Sequence, residues 1–177
     1  MATFLYFAYG SNLMARRLRK SCPSAKLFGC ARLDNHSLCF WDLQTGPSGR
    51  WQGAVATITP KEGDHVWGAV WEIEQTEMAN LDKQESLHTG IYRRYPVQAE
   101  MSGGDGGGDG GGCRDCVSYA MVEYTAEQRK GVPSPHYLRV IRDGSVDCGL
   151  PDEYQKRLNS IQDNGFTGDV SGMIGLY

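Results

Sequence analysis

Two places in this 177-residue chain combine residue types that do chemistry. The first is Gly10-Ser11-Asn12, which follows a six-residue run of aromatic and aliphatic side chains, Phe4-Leu5-Tyr6-Phe7-Ala8-Tyr9. Glycine breaks the run. Ser11 and Asn12 are good helix caps, and a helix-like pattern continues from Leu13 to Lys20. Backbone N–H groups at such a junction lack intrahelical acceptors, and a helix dipole favours negative charge there. The junction therefore reads either as an ordinary strand–turn–helix connection or as a cradle for a carboxylate or a polarised carbonyl. The second place is Glu85. Met78, Leu81 and Glu85 fall at i, i+3 and i+7 of an expected helix, so a carboxylate occupies a position suited to a core side chain. If the helix reaches it, burial raises its pKa towards the range a general base needs at neutral pH. If the helix ends near Gln84, Glu85 is exposed and ordinary. Asp82 lies near the same side.

Other constellations argue for less. Cys113 and Cys116 form one C-x-x-C, with no second pair and no spaced histidines to complete a zinc site. The six cysteines are irregularly spaced in a long chain, which predicts reduced thiols rather than a disulfide framework. No G-x-S-x-G supports serine hydrolysis. Asp82 and Glu85 are too close along one helix to flank a glycosidic bond. No metal or cofactor is expected.

The elements that must position these residues read as follows. Phe4 to Tyr9 suits a strand buried on both faces. Leu27–Ala31 and Ser37–Trp41 read as strands with Asp34-Asn35 turning between them. Ala54–Ile58 and Val66–Trp71 read as two more, with Pro60 and Gly63-Asp64 between. Thr76 is the expected cap of the Glu85 helix. Strands follow over Ile91–Met101 and Val117–Tyr124, separated by a flexible Gly/Asp loop over 102–112. Ser134 caps a helix that Pro135 begins. Pro151 starts a last helix, and the tail over 163–177 is expected to be irregular. Closely spaced strands favour antiparallel hairpins, and the need to avoid free edges favours closure. The fold class expected is α+β: one domain over 1–177, a small curled mixed sheet or barrel with helices packed around it.

Hydrophobic residues make up 40% and charged residues 22%, ordinary for a soluble globular domain. A formal net charge of −3 leaves no basic footprint for nucleic acid. The cluster Arg16, Arg17, Arg19 and Lys20 reads as the solvated face of the first helix. No apolar run spans a bilayer, and no secretory signal is read.

The sequence resembles the gamma-glutamylcyclotransferase family over nearly its whole length. The resemblance rests on Tyr6-Phe7-Ala8-Tyr9-Gly10-Ser11-Asn12-Leu13, Val66-Trp67-Gly68-Ala69-Val70-Trp71, Leu81-Asp82-Lys83-Gln84-Glu85 and Pro133-Ser134-Pro135-His136-Tyr137, in that order, extended by Gly149-Leu150-Pro151 and Tyr154-Gln155. It departs at the Gly/Asp expansion and at Ser86, where the family leads one to expect glycine. The resemblance implies cyclisation of gamma-glutamyl amino acids to 5-oxoproline, with Glu85 as general base and acid. It implies substrate binding by Tyr6, Phe7, Ala8, Tyr9, Gly10, Ser11 and Tyr137, with Tyr92 and Tyr119 as weaker candidates. A small-molecule substrate, a cytoplasmic location and a homodimer are implied as well. The alternatives are a cyclotransferase specific for glutathione or for gamma-glutamylamines, or a non-catalytic binding relative.

Overall fold

The computed structural model describes residues 1–42, 50–103, 112–121 and 130–169. β1 (Thr3–Ala8) becomes fully enclosed at Tyr6, Phe7 and Ala8. That enclosure explains its unbroken apolar run, since both of its edges are paired. Its neighbours are β3 (Val55–Glu74), antiparallel, and β5 (Gly112–Met121), parallel. β2 (Lys26–Trp41) and β4 (Tyr92–Met101) complete the order β1-β3-β2-β4-β5, and the sheet closes on itself as a barrel. The expected small mixed barrel is therefore the fold. Closure removes the free edges that short strands would otherwise leave exposed.

The strands are longer than the sequence reading gave. Leu27–Ala31 and Ser37–Trp41 are two halves of the single 16-residue β2, and Ala54–Ile58 and Val66–Trp71 belong to the single 20-residue β3, apart from Ala54 just before it. The turn-forming residues bend these strands without ending them. Asp34 opposes His65 and His36 opposes Pro60, so β3 has surplus residues where β2 has only Asn35. Asn35 takes the left-handed conformation (φ 56°), and its side-chain oxygen accepts from the Gly63 N–H at 3.0 Å. Turn chemistry was thus read correctly, but a bulge satisfies it as well as a hairpin does. β5 begins at Gly112, earlier than expected, so the Gly/Asp loop is shorter than 102–112. Residues 104–111 and 122–129, including the expected strand end at Tyr124, lie outside the described residues, as do 170–177 of the tail.

The first helix is the largest correction. In place of a helix over Leu13–Lys20 there is a 3₁₀ turn, Ser11–Leu13, and then a single α-turn, α1 (Ala15–Leu18). Neither Ser11 nor Asn12 caps it. Met14, extended at φ −77° and ψ 107°, separates the two pieces. So short a segment has almost no macrodipole, and only local N–H groups remain for binding an anion. Thr76 likewise does not cap. It lies inside a 3₁₀ turn, Gln75–Glu77, that leads into α2 (Met78–Gln84). Glu77 accepts hydrogen bonds from the Ser24 hydroxyl and N–H instead.

α3 (Pro135–Asp147) begins as expected: Ser134 Oγ accepts from the Tyr137 N–H at 3.2 Å, and Pro135 opens the helix. α4 (Asp152–Asn159) follows Pro151 and buries Tyr154 and Leu158. α3 lies against the 3₁₀ turn after β1 at Gly144, where an added Cβ would stand 2.7 Å from the backbone of Leu13 and Met14. Those are main-chain atoms and cannot swing away. Gly144→Ala is therefore expected to push α3 off this turn, destabilising the protein by about 1–3 kcal/mol. It should also impair binding in the site described next, which the same turn lines. Thermal melts and ligand titration of the variant check this; an unchanged melting temperature would show that the contact relaxes freely.

Candidate active site

A cavity of about 880 Å³ opens where β1 runs into the 3₁₀ turn. Tyr9, Gly10, Ser11 and Asn12 line one side, and Gln84, Glu85 and Ser86 at the end of α2 line another. Tyr6, Tyr92, Tyr119 and Tyr137 complete a wall of tyrosines contributed by β1, β4, β5 and α3. Of the residues expected, Tyr6, Tyr9, Gly10, Ser11, Glu85 and Tyr137 line it, as do the weaker candidates Tyr92 and Tyr119. Phe7 and Ala8 are the exceptions. Both are wholly buried in β1 and do not line the cavity; the Phe7 ring packs where Gly68 leaves room. Their part is to hold the strand that delivers Tyr9 and Gly10.

Both readings of Glu85 were half right. The helix does end at Gln84, yet Glu85 is not exposed. Its N–H still bonds back to the Leu81 carbonyl at 2.9 Å, which carries the side chain around to the cavity. Ser86 then takes the left-handed conformation, φ 57° and ψ 37°, and the chain leaves the helix there. A left-handed position is where glycine is the unstrained choice, which explains why glycine is expected after this carboxylate.

One carboxylate oxygen of Glu85 is held from two sides. The Asn12 side-chain amide donates to it at 2.6 Å, and the Tyr6 hydroxyl donates at 3.4 Å. Asn12 also donates to the Tyr6 oxygen at 3.1 Å and accepts from the Gln84 amide at 2.6 Å, so its own plane is fixed. Burial raises the Glu85 pKa to about 7, against the opposing charge of Arg17 and the hydrogen bonds from Tyr6 and Asn12. Asp82, one turn earlier, has the opposite fate. Arg94 pairs with it, Tyr119 donates to it, and together they hold it below its ordinary value. It does not line the cavity.

The tyrosines stay protonated. Burial raises Tyr6, Tyr9 and Tyr92 well above 10, and raises Tyr137 to about 12. They are hydrogen-bond donors and acceptors near neutral pH, not bases. Tyr137 and Tyr92 are fixed on one peptide: the Ala56 N–H donates to the Tyr137 oxygen at 3.0 Å, and the Tyr92 hydroxyl donates to the Ala56 carbonyl at 2.7 Å. The Tyr137 hydroxyl proton is thus left for the cavity. Tyr9 donates instead to the Tyr119 carbonyl.

Cys113 and Cys116 lie on β5 three residues apart and so face opposite sides, one exposed and one buried. One strand therefore cannot offer both thiols to a single ion. Among the described residues, no group of three or more histidine, cysteine or acidic side chains is arranged to hold a metal.

With this geometry in place, likeness to known proteins decides the family. The AIG2-like family matches residues 65–158. A gamma-glutamylcyclotransferase of Bos taurus is 41% identical over 172 residues, covering 97% of this chain and 86% of its own. That of Homo sapiens is 40% identical over 172 residues, with the same coverage. A solved structure named gamma-glutamyl cyclotransferase superposes with a TM-score of 0.87 at 38% identity, covering 98% of this chain and 96% of its own. The chain belongs to the gamma-glutamylcyclotransferase family. A yeast cyclotransferase specific to glutathione shares the fold (TM-score 0.60) at only 13% identity.

Seen as a gamma-glutamylcyclotransferase-family site, the cavity also contains side chains that sequence reasoning missed. Asn12 was read as a cap and is instead the holder of Glu85. Arg17 was read as part of a solvated face, yet it is half-buried and lines the cavity, while Arg16, Arg19 and Lys20 are exposed. Trp51, buried beside Tyr137 with ring centroids 4.7 Å apart, carried no signal at all. The glycine that the family resemblance leads one to expect at Ser86 was the one available hint that the chain turns there.

Glu85 also makes stability depend on pH. Its folded pKa of about 7 exceeds the ordinary 4.5, so between those values the native state holds a proton that the unfolded chain has released. Stability is therefore greatest below about 4.5 as far as this group is concerned, and falls as pH rises through about 7. Wild-type melting temperature should show this decline between about pH 5 and pH 7, and Glu85→Gln should flatten it. An unaltered slope in the variant would assign the titration to another group.

Proposed function

We propose that this chain converts gamma-glutamyl amino acids into 5-oxoproline and the free amino acid, with Glu85 moving the protons. The observation that carries the assignment is the position of Glu85: a carboxylate on the cavity, restrained through one oxygen, with a pKa near neutrality. The substrate's alpha-amine starts as an ammonium ion. Glu85 takes one proton, and the freed nitrogen attacks the gamma-carbonyl carbon to close a five-membered ring. The tetrahedral oxygen carries the charge until the old C–N bond breaks. Two protons leave the attacking nitrogen in all, and two reach the departing amine, which leaves as an ammonium ion. A single carboxylate of pKa near 7 can take and return each in turn.

Nucleophile and electrophile belong to one molecule, so the protein's main tasks are to fold the substrate and to stabilise the oxyanion. The N–H groups of Ser11 and Asn12, at the start of the 3₁₀ turn, lack intrahelical acceptors and face this task, with the Tyr137 hydroxyl as a further donor. The reaction needs neither an electron carrier nor a metal. The functional unit in this reading is one domain acting as a cytoplasmic homodimer; sedimentation at working concentration tests the assembly.

Incubation with gamma-glutamyl-alanine, following 5-oxoproline, tests the activity. Glu85→Gln should lower turnover by about 10²–10⁴-fold, since the amide keeps the shape but cannot accept a proton. Asp82→Asn is the control. It should keep most of its activity and lose stability mainly above the ordinary carboxylate pKa, where the Arg94 pair exists. If Asp82→Asn is silent in folding but inactive in turnover, the roles of the two carboxylates are reversed.

A further inference from the structure

Of the cationic side chains on the cavity, Lys20, Arg50 and Lys83 are exposed, and Arg17 alone is half-buried. Among the described residues, Glu85 is the only acidic one lining it. Arg17 projects from α1, and its Nε donates to Ser11 Oγ at 3.0 Å, which ties it to the turn after β1. Its guanidinium carbon lies 5.1 Å from the centre of the Trp51 ring, and Trp51 in turn packs on Tyr137. An aromatic face fixes the guanidinium plane and leaves its edge free for a planar anion. Among the described residues no carboxylate forms an ion pair with Arg17. The cation is desolvated, positioned and spare.

We propose that Arg17 holds the alpha-carboxylate of the glutamyl group and thereby selects substrates that present a complete amino-acid head. The proposal rests on the cyclisation reading above. In that reading the alpha-amine must meet Glu85, and the alpha-carboxylate is attached to the same carbon. The amine therefore cannot reach Glu85 without bringing an anion into the same corner of the cavity. Two carboxylates there repel unless a cation lies between them. Arg17 supplies it, and its charge already acts on Glu85, lowering a pKa that burial raises. Its charge also favours loss of a proton from the neighbouring ammonium. The exposed Arg50 and Lys83 are screened by solvent and lie where the acceptor amino acid can meet them.

The test is a cycle of two substrates and two enzymes. Gamma-glutamyl-alanine is compared with 4-aminobutanoyl-alanine, which lacks only the alpha-carboxylate and would close to 2-pyrrolidinone. Wild type should prefer the first by about 10- to 100-fold in kcat/KM, the scale of hydrogen bonds to charged groups. In Arg17→Gln this preference should shrink to about threefold or less, with the loss mainly in KM, and Arg17→Lys should recover part of it. Gamma-glutamyl-alaninamide, whose acceptor carboxylate is masked, should lose equally with both enzymes. The proposal is overturned if Arg17→Gln keeps the wild-type preference, or if it loses discrimination against the alaninamide instead. Should the Gln variant fail to fold, wild type and Arg17→Lys decide, because equal use of the two substrates by wild type also overturns it. If wild type makes no 5-oxoproline, the cyclisation reading falls. Calorimetric binding of 5-oxoproline against 2-pyrrolidinone to wild type and Arg17→Gln then decides Arg17 on its own.

Discussion

The structure turns on keeping one carboxylate, Glu85, facing a cavity without letting water neutralise its cost. An unpaired buried charge would be expelled or protonated, and a full salt bridge would pin it as an inert anion. Glu85 lies between these limits. Asn12 and Tyr6 donate neutral hydrogen bonds to it, and Arg17 acts on it by charge without appearing among its ion pairs. Each lowers the pKa, and burial outweighs them, leaving the group near neutrality. Every element around the site can be read as serving that balance.

The barrel brings the contributors together. Tyr6 and Asn12 flank the end of β1, and Glu85 closes α2 some 70 residues later, a separation of 73 between Asn12 and Glu85. The parallel pairing of β1 with β5 places Tyr119 beside Tyr6, with ring centroids 5.9 Å apart. Ala56 on β3 receives Tyr92 from β4 and Tyr137 from α3, 36 and 81 residues away. A residue with almost no side chain thus fixes two tyrosines by its backbone alone. Replacing Ala56 would change little in those bonds, whereas moving its strand would change both.

Much of this was legible in sequence, because local chemistry wrote it. The buried run of β1, the Ser134-Pro135 start of α3 and the Pro151 start of α4 follow from burial and cap stereochemistry. The shortness of α1 was not legible. Met14 and Leu18 keep a helical spacing of four, but Met14 is itself extended, and no side-chain pattern reports a backbone angle. Arg17 was hidden by its neighbours Arg16 and Arg19, since a run of like charges reads as a solvated face. Contacts remote from the run distinguish it: it packs on Trp51, 34 residues further on by sequence number, and faces the cavity. The fused strands were missed for a different reason: Asn35 and Gly63 carry turn signals, and a bulge uses the same left-handed angles as a turn.

Asp82 and Glu85 show how little sequence distance separates a structural carboxylate from a reactive one. They lie three residues apart at the end of one helix. Asp82 faces Arg94 on β4 and Tyr119 on β5, and its partners hold it ionised. Glu85 follows the last helical residue, and the left-handed Ser86 lets the chain turn away while its side chain stays on the cavity. The pair is pushed apart in pKa by environment alone, one below its ordinary value and one up to about 7. With all five cavity-lining tyrosines raised by burial and kept neutral, Glu85 rather than a phenol is the group on this wall suited to exchange a proton at physiological pH. The division of labour then follows from charge: Asp82, paired with Arg94, secures the end of α2 against the barrel, whereas Glu85 is held by the neutral donors Asn12 and Tyr6.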